Sequence, residues 1–206
     1  MPPGIPGSGQ AFVYSGEEIR SLVLTEPNRS LNTKTSLLTR LIVKAGALTG
    51  ITGSAGLTRQ ATRFWMPLGQ QIVIIGGELV GLELSEFLAE RGREVTVLEN
   101  SDYAGKGLYV VRRMRLMDDL KSLGVHVVKS VDRVEIGDQE VSYTIADKKQ
   151  SVSADHVIVA QGATGNTNLV DALRRAGFTT HKIGDCTGVS YIEGAMESAA
   201  ELAVSI

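Results

Sequence analysis

Ile72-Val73-Ile74-Ile75-Gly76-Gly77-Glu78-Leu79-Val80-Gly81-Leu82-Glu83-Leu84-Ser85 is the stretch on which the fold turns. Its first four residues form an apolar run, as in a strand buried on both faces. Gly76 and Gly77 end that run. Leu79, Val80, Leu82, Phe87 and Leu88 then give an apolar side to a helix over 79–90, and Gly92 supplies its stop. Val95–Leu98 is a second apolar run, closed by Glu99. Strand, glycine turn, helix, strand and acid follow the order of a dinucleotide-binding unit: G-x-G-x-x-G, then an acidic residue about 20 positions on. Gly76 stands first, Gly81 last, and Glu99 lies 18 residues after Gly81.

Each position has a physical task. Gly76 lets the chain turn sharply out of the strand, and Gly81 lets helix and strand pack closely. The helix N-terminus offers free N–H groups and a positive dipole end to a pyrophosphate. Glu99 would accept hydrogen bonds from the adenosine ribose, and its charge favours NAD(H) over the 2′-phosphorylated form. One position departs from the pattern: Glu78, preceded by Gly77, stands where the middle glycine is expected. Two outcomes are open. A carboxylate turned inward repels the phosphates, by about 4 kcal/mol at 4 Å and an effective dielectric of ~20. Turned outward, it suits the positive end of the helix.

The same rhythm continues downstream. Leu108–Leu123 reads as a helix stopped by Gly124, and Val125–Val128 as a third strand. A βαβαβ order implies a parallel sheet with right-handed crossovers. Val131–Ile136, Glu140–Ile145 and a shorter piece at Ser151–Ser153 then alternate apolar with polar residues. Gly137-Asp138 and Asp147-Lys148-Lys149 mark the turns of this antiparallel meander. His156–Ala160 is again apolar and runs to Gly162. Leu169–Ala176 reads as a short helix, Lys182–Asp185 as a last short strand, and Glu193–Ile206 as a final helix of mostly small residues. The expected class is α/β with three layers: a Rossmann-like parallel sheet, helices on one side and an antiparallel β-meander on the other.

Upstream, residues 1–10 are rich in Pro and Gly and read as a linker or crossover, without the basic and apolar regions of a secretion signal. Ser15 and Glu18 have capping-box spacing ahead of Ile19, Leu22 and Val23, so a helix is expected over about 16–24, ending before Pro27. Leu37, Leu38, Leu41, Ile42, Ala45 and Leu48 recur at helical spacing until the glycine-rich run 47–56, and a second short helix is expected over Arg59–Phe64. This segment reads as a helix packed on a neighbouring domain, with a docking or membrane-surface role as the alternative. Arg40, Lys44 and three glycines within Leu37–Leu57 argue against a membrane span.

Composition narrows the function classes. A net charge of −2 over 206 residues gives no basic field for nucleic acid or an anionic membrane. The one cysteine, Cys186, allows no disulfide, redox dithiol or multi-thiolate zinc site within the chain, and a reducing, cytoplasmic setting is expected. His126, His156 and His181 show no metal-ligand spacing. Arg112, Arg113 and Arg115 read as a solvated helix face, with contact to a nucleotide phosphate as the alternative, and Asp118-Asp119 reads as a solvated face.

Three stretches also resemble one family. Ile72–Ser85, with its Gly81-Leu82-Glu83 step, is similar to the NAD(P)-binding domain of two-dinucleotide flavoproteins. Asp155-His156-Val157-Ile158-Val159-Ala160-Gln161-Gly162 resembles the strand and glycine leading out of that domain. Ile183-Gly184-Asp185-Cys186, followed by Tyr191-Ile192-Glu193-Gly194-Ala195, resembles the closing FAD motif. With Trp65-Met66-Pro67-Leu68-Gly69 before the first strand, the chain looks most like the NADH:flavin oxidoreductases, among them 2,4-dienoyl-CoA reductase and trimethylamine dehydrogenase.

The resemblance implies an FAD/NAD(P)-binding Rossmann-like fold in three parts. Residues 1–69 would be a crossover and helical segment from a preceding FAD-type domain, 70–164 the NAD-binding domain, and 165–206 the C-terminal piece of the FAD-type domain. Gly76, Gly77, Glu78, Gly81 and Glu99 would hold NAD(H), with Glu83 near the nicotinamide side and Gly162 at the exit strand. Gly184 and Asp185 would meet the FAD ribityl chain at a shared, incomplete site, and the backbone at Ile192 and Glu193 the flavin. FMN and a 4Fe-4S cluster are expected only in an N-terminal part this sequence lacks. The partners would be that FMN barrel and the first FAD half of the same parent protein. The implied activity passes hydride from NADH to FAD and on to an FMN-linked substrate site, with the isolated chain inactive. The alternative is a structural or interaction module with a degenerate nucleotide turn, as in the amine dehydrogenase branch.

Overall fold

The computed structural model describes residues 4–24, 31–34, 66–162, 165–188 and 191–205. The helices expected over Leu37–Leu48 and Arg59–Phe64 lie outside those residues. The chain divides into two compact units, 1–161 and 162–206.

The first unit is built on a five-stranded parallel sheet. In chain order its strands are β1 (Val13–Ser15), β2 (Gln71–Ile75), β3 (Glu94–Leu98), β4 (His126–Val128) and, after the meander, β8 (His156–Val159). The spatial order is β1-β8-β2-β3-β4. Helix α1 (Gly16–Leu24) and the short helix α2 (Leu31–Lys34) precede β2. Helix α3 (Leu79–Ala89) connects β2 to β3, and α4 (Val110–Ser122) connects β3 to β4, giving the expected βαβαβ core.

Strand alternation explains the layers. Ile72 and Ile74 of β2, Val95 and Val97 of β3 and Ile158 of β8 pack with Leu82, Leu88, Leu116 and Leu120 of α3 and α4. Their neighbours Val73, Ile75, Leu98, Val157 and Val159 point to the other face, against Ile136, Val141 and Tyr143 of the meander. Strands covered on both faces need apolar residues at every position, which is why β2 and β8 read as continuous apolar runs. The three-layer fold expected from sequence is the fold observed.

The meander comprises β5 (Asp132–Ile136), β6 (Glu140–Ile145) and β7 (Lys148–Ser153), in the order β5-β6-β7. Its last strand is longer than the expected Ser151–Ser153. Ile145 pairs directly with Lys148, so the hairpin turns on Ala146 and Asp147, both at positive φ. That two-residue turn starts one position earlier than composition suggested.

Two further differences stand out. Strand β1 was not expected: three residues give no periodicity, and its partner β8 is far along the chain, with Val13 opposite Val157. The last strand expected at Lys182–Asp185 is absent. Gly184–Cys186 forms a single 3₁₀ turn, Gly184 has φ +66, and its N–H donates to the Ser198 hydroxyl at 2.9 Å. No strand is described within 162–206 for it to pair with.

The capping box is present. The Ser15 N–H donates to Glu18 Oε2 at 2.8 Å and the Glu18 N–H to Ser15 Oγ at 3.2 Å, which sets the start of α1. The second unit holds helices α5 (Asn168–Arg175) and α6 (Tyr191–Ser205), neither of which buries a residue. Leu169, Phe178, Ile192 and Met196 are all more than half exposed.

Candidate dinucleotide site

The candidate site begins where β2 stops. The Gly76 N–H donates to the Leu98 carbonyl and the Ala160 N–H to the Ile75 carbonyl, both at 2.8 Å, so sheet bonding continues up to the turn. Gly76 then takes φ +114, and a Cβ there would stand 2.6 Å from the Ala160 carbonyl oxygen. Gly81 is still tighter: a Cβ would lie 1.9 Å from the Gly76 carbonyl oxygen. Both glycines are therefore required by backbone crowding, as the motif implies.

Glu78 is the N-cap of α3. It is exposed, and its side chain makes no capping hydrogen bond. The first-turn amides of α3 are thus not closed off by their own cap, and the carboxylate is in water. A helix N-terminus in this state fits an anion such as a pyrophosphate. Val80, expected on the apolar side of α3, is instead 59% exposed; Gly81, Leu82, Ser85 and Leu88 are buried.

Glu99 stands beside the turn, almost fully buried at 4% exposure. Its Oε2 accepts the Gly77 N–H at 2.6 Å, and its Oε1 accepts the Ser101 N–H at 2.9 Å and the Ser101 hydroxyl at 2.6 Å. A Cβ on Gly77 would press on this side chain at 3.0 Å. A carboxylate has about four acceptor positions, so one or so is left for a ribose hydroxyl. The structure thus brings Gly76, Gly77, Gly81 and Glu99 together.

Sequence reasoning missed the strap that follows Glu99. Residues 101–107 return from the end of β3 and cross the turn, where the Gly105 N–H donates to the Gly77 carbonyl at 2.7 Å. Ala104 is buried beneath, and its carbonyl accepts Arg113 Nε at 2.6 Å. The Arg113 guanidinium lies 3.8 Å from the Tyr103 ring centroid. The one signal available was Ser101-Asp102 directly after the acid, with Gly105 and Gly107 beyond.

Other candidates lie apart. Glu83 is exposed on α3 and pairs with Arg112 of α4 at 3.2 Å, half in solvent, an ion pair of small energetic weight. Arg112 and Arg113 are therefore engaged, while Arg115, Asp118 and Asp119 are exposed, as expected. His156 is half-buried and accepts the Gly69 N–H on Nδ1 at 2.9 Å; this partial burial holds its pKa below the ordinary value, with Asp155 opposing. The described residues include no cluster of three or more His, Cys, Asp or Glu suited to a metal ion. No described helix is long and apolar enough to cross a membrane. A separate cavity of about 430 Å³ opens at the opposite, amino-terminal edge of the sheet, lined by Gln71, Arg93, Glu94 and His126 among others.

In the second unit, Gly162 takes φ +60 and Gly184 is buried in its 3₁₀ turn. Asp185 is exposed beside it, and Ile192 is 83% exposed in the first turn of α6. The Cys186 thiol faces the Ile183 carbonyl at 3.1 Å.

Comparison with known proteins agrees with this geometry. The chain is 33% identical over 121 residues to a bilirubin reductase of Mediterraneibacter gnavus, covering 59% of this chain and 19% of that protein. It is 29% identical over 140 residues to an NADH oxidase of Thermoanaerobacter brockii, covering 66% and 21%. The chain thus spans about a fifth of the length of these relatives. Among solved structures, a 2-naphthoyl-CoA reductase matches with TM-score 0.67 and 22% identity, over 100% of this chain and 25% of that one. Histamine dehydrogenase from Rhizobium sp. 4-9 matches with TM-score 0.58 and 20% identity, over 68% and 23%. At such identities the structures speak for the fold. The family model for pyridine nucleotide-disulphide oxidoreductases matches residues 43–189, and the chain belongs to that family.

Proposed function

We propose that this chain is the NAD(H)-binding part of a larger flavin-dependent oxidoreductase of the NADH:flavin oxidoreductase type. The parent would pass hydride from NADH to FAD and on to an FMN-linked substrate site, as in a 2,4-dienoyl-CoA reductase. The observation that carries the reading is the uncapped start of α3, set over a bend with no room for side chains and beside the buried Glu99 carboxylate. The one-fifth share of the relatives' length supports a longer parent, in which this reading puts an FMN barrel, a 4Fe-4S site and a first FAD half.

In this reading 70–164 bind NAD(H) and 165–206 close the FAD-type domain. Residues 1–69 lead in from that domain, with β1 and α1 lodged on the NAD-binding sheet. The amides of Leu79 and Val80 receive the pyrophosphate, while the Gly77 amide holds Glu99, which orients the adenosine ribose and whose charge disfavours a 2′-phosphate. Glu78, in water, adds only screened repulsion, well below the about 4 kcal/mol of a closely held pair at 4 Å. Glu83, paired with Arg112 of α4, would lie near the nicotinamide side. Gly162 ends the exit strand, and Gly184, Asp185 and Ile192 would meet FAD. Bound NADH supplies the hydride; the chain's residues bind and orient.

Titration of the 206-residue chain with NADH, followed by its fluorescence, tests this. Saturable binding is expected, and none up to millimolar concentrations would remove the proposal. A second reading, a nucleotide-type structural module, draws on the three hydrogen bonds that already occupy Glu99. Glu78→Gly separates the two. In the binding reading it changes NADH affinity by less than about threefold, the scale of an exposed charge. In the structural reading it creates binding where the native chain has none.

A further inference from the structure

We propose that the Tyr103–Arg113 stack is the platform on which the adenine ring of the dinucleotide lies, an inference that rests on the NAD(H) reading above. The stack is tied at two points to the groups assigned to the ribose and the pyrophosphate. The Ser101 hydroxyl bridges Glu99 Oε1 at 2.6 Å and the Tyr103 carbonyl at 3.0 Å. Arg113 Nε is fixed to the Ala104 carbonyl at 2.6 Å, and the neighbouring Gly105 N–H to the Gly77 carbonyl at 2.7 Å. A base attached to a ribose held by Glu99 therefore emerges beside residues that have little freedom to move.

The chemistry of the pair suits a flat, electron-rich ring. The guanidinium lies over the Tyr103 ring at 3.8 Å, yet Tyr103 remains 46% exposed. An aromatic ring backed by a cation on one face and open to solvent elsewhere offers a stacking surface at low ordering cost.

The test uses the whole chain and three probes: NADH, ADP-ribose and reduced nicotinamide mononucleotide. Tyr103→Ala should weaken NADH and ADP-ribose about tenfold, the scale of one base–aromatic stack, and leave the mononucleotide unchanged. Tyr103→Phe should restore both. Independently of any variant, ADP-ribose carrying 1,N6-ethenoadenine should lose fluorescence on binding the native chain. Native binding without quenching, equal effects on all three probes, or no effect of Tyr103→Ala overturns the platform while leaving the dinucleotide site standing. No binding of NADH or ADP-ribose to the native chain overturns both.

Discussion

Gly81→Ala is the sharpest test of the turn's packing. An added Cβ would stand 1.9 Å from the Gly76 carbonyl oxygen and 3.0 Å from its carbonyl carbon. Ordinary contact begins near 3.4 Å, so the helix must retreat by the difference, 3.4 minus 1.9, or 1.5 Å. The opposing atoms are backbone at the end of β2, which is hydrogen-bonded to β3 and β8 and cannot swing aside. Overpacking of this kind costs about 1–3 kcal/mol, and a backbone clash belongs at the upper end. Alanine returns up to about 1 kcal/mol through helix propensity and a less flexible unfolded chain. The net expectation is about 2 kcal/mol lost, or a Tm lower by about 4–8 °C for a chain of this size. Thermal unfolding followed by circular dichroism reads it, with Val80→Ala, at an exposed position of the same helix, as the neutral control. A Gly81→Ala chain as stable as the native one would refute the close approach of α3 to the turn.

Glu99→Gln replaces an acceptor-only group with one whose amide must face the Gly77 N–H or the Ser101 donors; a stability loss of about 1–3 kcal/mol in urea unfolding is expected, together with weaker NADH binding. Ser15→Ala removes one half of the capping box and should cost about 1 kcal/mol in the same measurement. His156 accepts from Gly69 only when neutral, and burial depresses its folded pKa below the unfolded value near 6.5. Its contribution is therefore complete above that value and disappears as the pH falls through the folded pKa. Melting temperatures measured from neutral to acid pH should fall more steeply for the native chain than for His156→Gln, which keeps an acceptor without titrating.

Much of this fold is legible because burial on two faces leaves a strong trace. Ile72–Ile75 and Val157–Val159 must serve both the helix layer and the meander, so every position is apolar. The glycines at 76 and 81 are legible for the same kind of reason, since steric crowding there admits nothing larger. What escapes is set by non-local partners. Strand β1 is three residues long and exists because β8 lies beside it. The expected strand at Lys182–Asp185 has the opposite fate: its apolar character is local, but no partner is described within its unit. Within the site, Glu99 was readable as the acid after the second strand. Its hydrogen bonds to Gly77 and Ser101 were not, because they depend on how the strap folds back. Arg113 looked like one of three surface cations until Tyr103 and the Ala104 carbonyl came to meet it.

The amide chemical shifts of the 15N-labelled chain, followed while NADH is added, bear most directly on the claim that the bend after β2 receives a dinucleotide. Saturable changes should centre on Gly76, Gly77, Val80, Gly81 and Ser101, with Gln71, Glu94 and His126 at the far edge of the sheet unmoved. Shifts confined to that far edge, or a spectrum unchanged at millimolar NADH, would contradict it.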